Sequence, residues 1–151
     1  MTTYATQSQS ALDEGKAALV DALRDALGDT LRDVWVLDQR TQQPLYLRED
    51  VAERIEDVAV EKHLDNERYG FVTRQTYNLL HYSEFRYTHR GFDTWELFRT
   101  FVTDDDAQVG VVVGIDSNDT GYDFGALTDI VHDLADEYGA GAFAPVAPDD
   151  D

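Results

Sequence analysis

The sequence predicts a single α+β domain, in which one five-stranded antiparallel sheet carries the N- and C-terminal helices on one face. Three observations carry this reading. Apolar residues recur at helical spacing near both ends, at Leu12, Leu19, Leu23 and Leu27 and again at Phe124, Leu127, Val131, Leu134 and Tyr138. Between them lie runs of β-formers, grouped first as two strands and then as three. The length of 151 residues matches one domain with one core.

Taken in order, residues 1–9 are polar and aperiodic and read as a flexible N-terminal tail. The domain spans 10–138. Ser10 with Asp13 resembles a helix N-cap, and Gly28 stops the first helix. Val34–Leu37 and Pro44–Arg48, separated by the polar stretch 38–43, predict a β-hairpin. Asp50 and Glu53 form a capping-box-like start, and Val51, Ile55, Val58 and Leu64 support one helix to about residue 64. Residues 66–82 fit neither period cleanly, because Tyr69, Phe71, Tyr77 and Leu80 are irregularly spaced; a short helix over 72–80 is expected. Phe85, Tyr87 and His89 then alternate with Arg86, Thr88 and Arg90, and Gly91 marks a turn before a strand over 94–103. Asp104–Asp106 is the next turn, and the valine-rich run 108–115 predicts a strand buried on both faces. The last helix ends at Tyr138, and 139–151, with Gly, Ala, Pro and three terminal aspartates, reads as a flexible acidic tail.

Charge bounds the habitat. The chain holds 31 acidic against 12 basic side chains, a formal charge of -19. Such self-repulsion destabilises a compact state in dilute buffer, whereas molar salt shortens the screening length to roughly 3 Å and removes most of the penalty. Only Lys16 and Lys62 are lysines, and aspartates far outnumber glutamates, so little aliphatic stem faces the salt-strengthened hydrophobic attraction. The composition resembles a haloarchaeal proteome signature and implies a halophilic, cytoplasmic protein with solvent cations at its acidic surface. With no cysteine, disulfides, thiolate catalysis and cysteine zinc sites are excluded. The start lacks a signal-peptide pattern, and the longest apolar run, Val109–Ile115, falls far short of the roughly 20 residues a membrane helix needs.

The order α-ββ-α-βββ-α over roughly residues 10–138 resembles that of roadblock and profilin-like domains. At the sequence level, Gly28, Asp29, Thr30, Leu31 and Arg32 with Leu45, Tyr46, Leu47, Arg48, Glu49, Asp50 and Val51 resemble a pattern found in an uncharacterised family of small haloarchaeal proteins. That family brings no activity. The roadblock resemblance implies dimers and platforms for other proteins.

Charge is unevenly spread. Residues 1–67 hold 7 basic and 15 acidic side chains, 68–101 hold 5 and 3, and 102–151 hold 0 and 13. The one positive segment interleaves Arg68, Arg74, Arg86, Arg90 and Arg99 with Tyr69, Tyr77, Tyr82, Phe85, Tyr87 and Trp95. Arginines beside aromatics suit single-stranded nucleic acid, but the overall charge and the steep salt dependence of phosphate contacts argue against it. The same residue types dominate protein-interface hot spots, and apolar contact survives salt. Arg86, Tyr87, Arg90 and Arg99 are the candidate partner-binding residues, for a protein partner or a second copy; strand alternation puts Arg86 and Tyr87 on opposite faces.

The remaining constellations are weak. Asp116, Asn118, Thr120 and Gly121 copy the opening of a calcium loop, but Leu127 stands where the bidentate glutamate belongs; a polar turn with Asp123 as helix cap accounts for them. His81 and His89 near Glu84 form at most a minimal metal or acid–base set, and His63 and His132 stand apart. There is no GxSxG, P-loop or GxGxxG. Neither a catalytic residue nor a cofactor is expected. The predicted role is a non-enzymatic interaction or regulatory domain. The alternatives are single-stranded nucleic-acid binding through 68–101, or a small-molecule sensor with a pocket lined by Trp35, Trp95 and Tyr87.

Overall fold

The computed structural model describes residues 13–55, 60–81 and 83–146. Helix α1 (Glu14–Leu27) passes through a 3-10 turn, Gly28–Thr30, into the hairpin of β1 (Leu31–Leu37) and β2 (Gln42–Leu47). Three helices follow, α2 (Glu49–Arg54), α3 (Val60–Arg68) and α4 (Gly70–His81). The chain closes with β3 (Tyr87–Gly91), β4 (Trp95–Thr103), β5 (Gln108–Asp116) and α5 (Phe124–Tyr138). The five strands form one sheet in the order β2-β1-β5-β4-β3, every neighbouring pair antiparallel. Local chemistry sets the turns. Asp38 accepts from the backbone N–H of Arg40 and Thr41 in the first hairpin, and Asp104 accepts from Asp106 and Ala107 in the β4–β5 hairpin. Asp123 caps α5 by accepting from the Ala126 N–H at 2.9 Å.

Helices α1 and α5 cover one face, where Leu19, Leu23, Leu127 and Val131 pack on Val34, Val36, Phe98, Val111 and Val113. The middle helices cover the other, with Val51, Leu64 and Phe71 packing on Trp35, Leu37, Leu97, Phe101 and Val112. This double cover explains why β5 is buried along its length. Each fully buried Leu, Val or Phe contributes about 1.5–3 kcal/mol, so the central strands hold the domain together.

Several expectations need correction. In place of one helix from about 50 to 64, α2 ends at Arg54 and α3 starts at Val60 and runs on to Arg68; Val58 lies outside the described residues, as do Ser10 and Leu12 of the first helix and the tail 1–9. Asp50 does not cap α2, because Arg48 binds its carboxylate through Nε at 2.6 Å and Nη2 at 3.0 Å. Strand β3 starts at Tyr87, leaving Phe85 and Arg86 ahead of it. Residues 139–146, expected to be loose, hold the 3-10 turn Ala140–Phe143, in which Ala140 and Phe143 are buried against the α1/α5 face.

Two β-bulges shape the sheet. One leaves Leu45 of β2 as the extra residue opposite Val34 and Trp35, which pair with Tyr46 and Pro44; the other falls between Leu31 and Asp33, which pair with the adjacent residues Ile115 and Gly114. The second leaves Arg32 as the extra residue and breaks the strict alternation of β1.

Candidate interaction surface

Strand β3 is a sheet edge, since among the described residues it pairs only with β4. Its residues still alternate. Tyr87 and His89 point toward α5, where the Tyr87 ring lies 5.9 Å from Phe98 and the His89 ring stacks on Phe124 at 4.1 Å. His89 Nε2 also lies 2.6 Å from Glu96 Oε1. Thr88 and Arg90 point toward the α3–α4 junction. Arg90 Nε donates to Glu67 Oε2 at 3.1 Å, and Arg99 Nη2 donates to Thr88 Oγ1 at 2.8 Å.

The four predicted contact residues therefore separate. Tyr87, 39% exposed, half-covers the aromatic row it shares with Phe98 and Phe124. Arg86 is exposed and donates to Asp129 on α5 at 2.6 Å. Because it precedes the strand, alternation does not apply to it, and it lies on the same side as Tyr87, against expectation. Arg90 is partly exposed. Arg99 is no contact residue. It is 2% exposed, and Nη1 donates to Glu67 Oε1 at 2.7 Å and to the Glu67 carbonyl at 3.1 Å, while Nε has no hydrogen-bond partner among the described residues. Burial pulls the Arg99 guanidinium below its ordinary range, and Glu67 opposes that pull. The sequence carried a signal for this burial, since Arg99 sits in phase with Leu97 and Phe101.

Helix α4 includes the helix expected over 72–80 and adds an outward face that the sequence reading missed. Its inward side is narrow. Phe71 packs tilted against Phe101 with ring centroids 4.7 Å apart, and Asn78 Oδ1 accepts from the Phe85 N–H at 2.6 Å. Gly70 makes the close approach possible, because a Cβ there would sit 2.5 Å from Arg99 Cζ and 2.7 Å from Phe101 Cζ. The opposite side is turned outward and carries four large apolar residues around Thr73 and Thr76. Tyr69, just before the helix, and Val72, Leu79 and Leu80 on it are 65–79% exposed; at 100° per residue they fall within one face. Tyr77, stacked on Phe85, joins this stripe to the lead-in to β3. A soluble helix normally buries such a face, and a contiguous exposed apolar patch marks a contact site.

The remaining candidates resolve differently. Asp116, the first position of the calcium-like loop, is bound by Arg48 at 2.6 and 3.0 Å and by Arg32 at 3.1 Å. These arginines hold its carboxyl below the ordinary range, and Arg48 draws Asp50 down to about 2. Asn118 serves as a turn acceptor for Gly121. The motif residues Arg32, Arg48 and Asp50 thus meet at one end of the sheet. No group of three or more metal-ligating side chains occurs among the described residues. His132 Nε2 lies 3.0 Å from Thr100 Oγ1, and burial lowers its pKa below the ordinary 6.5. No helix among the described residues is long and apolar enough to cross a membrane.

The family described as "Domain of unknown function (DUF7522)" matches residues 17–136. Among solved structures, the fold is similar to a structure described as "MglB with tetrameric arrangement", at 12% identity over 84% of this chain and 94% of that one, with a TM-score of 0.55. Myxococcus xanthus MglB follows at 15% identity over 86% and 91%, TM-score 0.54. The gliding protein MglB from Thermus thermophilus has 11% identity over 85% and 93%, TM-score 0.50. At these identities the likeness is one of fold, the roadblock-like sheet expected from the element order. No curated protein sequence matches the chain.

Proposed function

We infer, given that this chain belongs to the DUF7522 family, that it is a non-enzymatic interaction or regulatory domain, and that it pairs with a second copy of itself through strand β3 and helix α4. The observation that carries the reading is the outward apolar stripe of Tyr69, Val72, Leu79 and Leu80, reached from a sheet edge with no second strand among the described residues. Antiparallel pairing of two β3 strands would satisfy their open backbone groups and bring both stripes into one two-fold contact. Charge supports this choice of surface. Segment 68–101 is net positive in a chain of charge -19, so contact there meets less acid-on-acid repulsion than the rest of the chain would on average. One of the similar structures is MglB in a tetrameric arrangement, which supports self-association as a use of this sheet architecture. The composition supports a salt-rich cytoplasm as the working medium.

Sedimentation in molar KCl tests the pairing. The wild-type chain is expected to sediment as a dimer at micromolar concentration. Leu79→Asp with Leu80→Asp removes two side chains worth about 1.5–3 kcal/mol each on burial, which weakens dimerisation about 100-fold or more and leaves the far-UV spectrum unchanged. A wild-type chain that stays monomeric, or a double variant that dimerises as well as wild type, overturns the proposal.

A further inference from the structure

On the face covered by the middle helices, away from the α4 stripe, a cavity of about 380 Å³ opens beside Trp95. Its walls are Val51, Ile55, Val60 and the Trp95 ring, and its polar groups are Arg32, Asp33, Arg54 and His63. That volume and a mostly apolar wall with a few polar groups fit a small-molecule site. Of the three residues expected to line a pocket, only Trp95 does so. Trp35 is buried beneath it, and Tyr87 lies on the other face of the sheet.

The β1 bulge builds the polar side. Strict alternation would send Arg32 and Asp33 to opposite faces, whereas the extra residue lets both line the cavity. Asp33 is held in place. Trp35 Nε1 donates to its Oδ2 at 3.0 Å, and a Cβ at Gly114 would come within 2.0 Å of its Oδ1, so only glycine leaves the carboxylate room. Burial pushes the Asp33 carboxyl above its ordinary range. The positive groups are less committed. Arg32 shares Asp116 with Arg48 and leans over the Trp95 ring, its Cζ 5.5 Å from the centroid. Arg54 is exposed and makes no ion pair among the described residues. The His63 ring lies 6.0 Å from that of Trp95 at 57°. In a chain with 31 acidic and 12 basic side chains, two arginines and a histidine against one acid among the described lining residues run counter to the composition.

We propose that this cavity binds a flat organic anion, its ring against Trp95 and its carboxylate or phosphate on Arg32 and Arg54. Arginine paired with a planar anion beside an indole combines ring stacking with charge-assisted hydrogen bonds. The test is calorimetric titration of the full chain in molar KCl with three probes sharing one ring system: 2-naphthoate, 2-naphthylmethanol and 2-naphthylmethylammonium. Expected is one naphthoate per chain, bound about tenfold or more tighter than either analogue, and weakened about tenfold by Arg54→Gln and by Trp95→Leu. Arg54→Gln is exposed and keeps the urea midpoint of wild type, so its effect reads the site and not the fold. Leu79→Asp with Leu80→Asp keeps naphthoate binding, which separates this site from the pairing surface. Absence of saturable naphthoate binding, equal affinity for the ammonium analogue, or full affinity in Arg54→Gln overturns the proposal.

Discussion

Substituting Glu67 by Gln isolates a buried ion pair. Glu67 is fully buried, its Oε1 accepts from Arg99 Nη1 at 2.7 Å, and its Oε2 accepts from Arg90 Nε at 3.1 Å. The glutamine keeps the shape of the side chain and removes its charge. Arg90 is partly exposed and can turn to water, but Arg99 cannot, since its side chain is 3% exposed and Nε already has no hydrogen-bond partner among the described residues. Leaving one member of a buried pair uncompensated costs about 3–5 kcal/mol. At about 2–4 °C per kcal/mol for a domain of this size, the melting temperature falls by about 6–20 °C. The assay is urea and thermal unfolding at fixed molar KCl, followed by circular dichroism. Replacing both partners, Glu67→Leu with Arg99→Met, removes the stranded charge and recovers most of the loss. Salt separates the mechanism from a surface effect, because a pair without solvent access is barely screened. A Glu67→Gln chain within about 1 kcal/mol of wild type, well below the cost of a stranded buried charge, would refute the reasoning.

Gly70→Ala is expected to cost about 1–3 kcal/mol, because its Cβ meets Arg99 Cζ at 2.5 Å in a packed site where neither neighbour can retreat freely; a lowered urea midpoint with an unchanged slope checks it. His132 gives the pH dependence. Burial keeps its folded-state pKa below the ordinary 6.5, so the unfolded chain takes up the proton first. Its contribution is complete above pH 6.5 and is lost as the pH falls from there through the folded-state pKa. His132→Asn should flatten the midpoint-against-pH curve in that window, and an unchanged slope would contradict it.

Which features were legible in the sequence follows from how many residues repeat the same message. The strands of the β4–β5 hairpin and helix α5 were readable because apolar residues, turn aspartates and a glycine all agree locally. Helix α4 was legible as a short helix over 72–80 and runs from Gly70 to His81, but its outward face was not, since apolar residues turned to solvent blur the period that betrays a buried face. The end of α2 at Arg54 was hidden because Val51, Ile55 and Val58 keep helical spacing in the sequence past it. The bulge at Arg32 is set by pairing with β5, far away in the chain, and has no local signature; it is what brings Arg32 beside Asp33. Arg99 was misassigned because arginine in a basic, aromatic segment reads as surface, although its phase with Leu97 and Phe101 pointed inward.

The two margins of the sheet are chemically unequal. Pro44 deprives β2 of one backbone N–H, while β3 contains no proline and keeps every donor. A chain with one blunted margin and one competent margin has a valence of one for strand addition. If β3 pairs with β3 as proposed, both competent margins are used up at once, and growth would end at two copies without extending the sheet into a fibre.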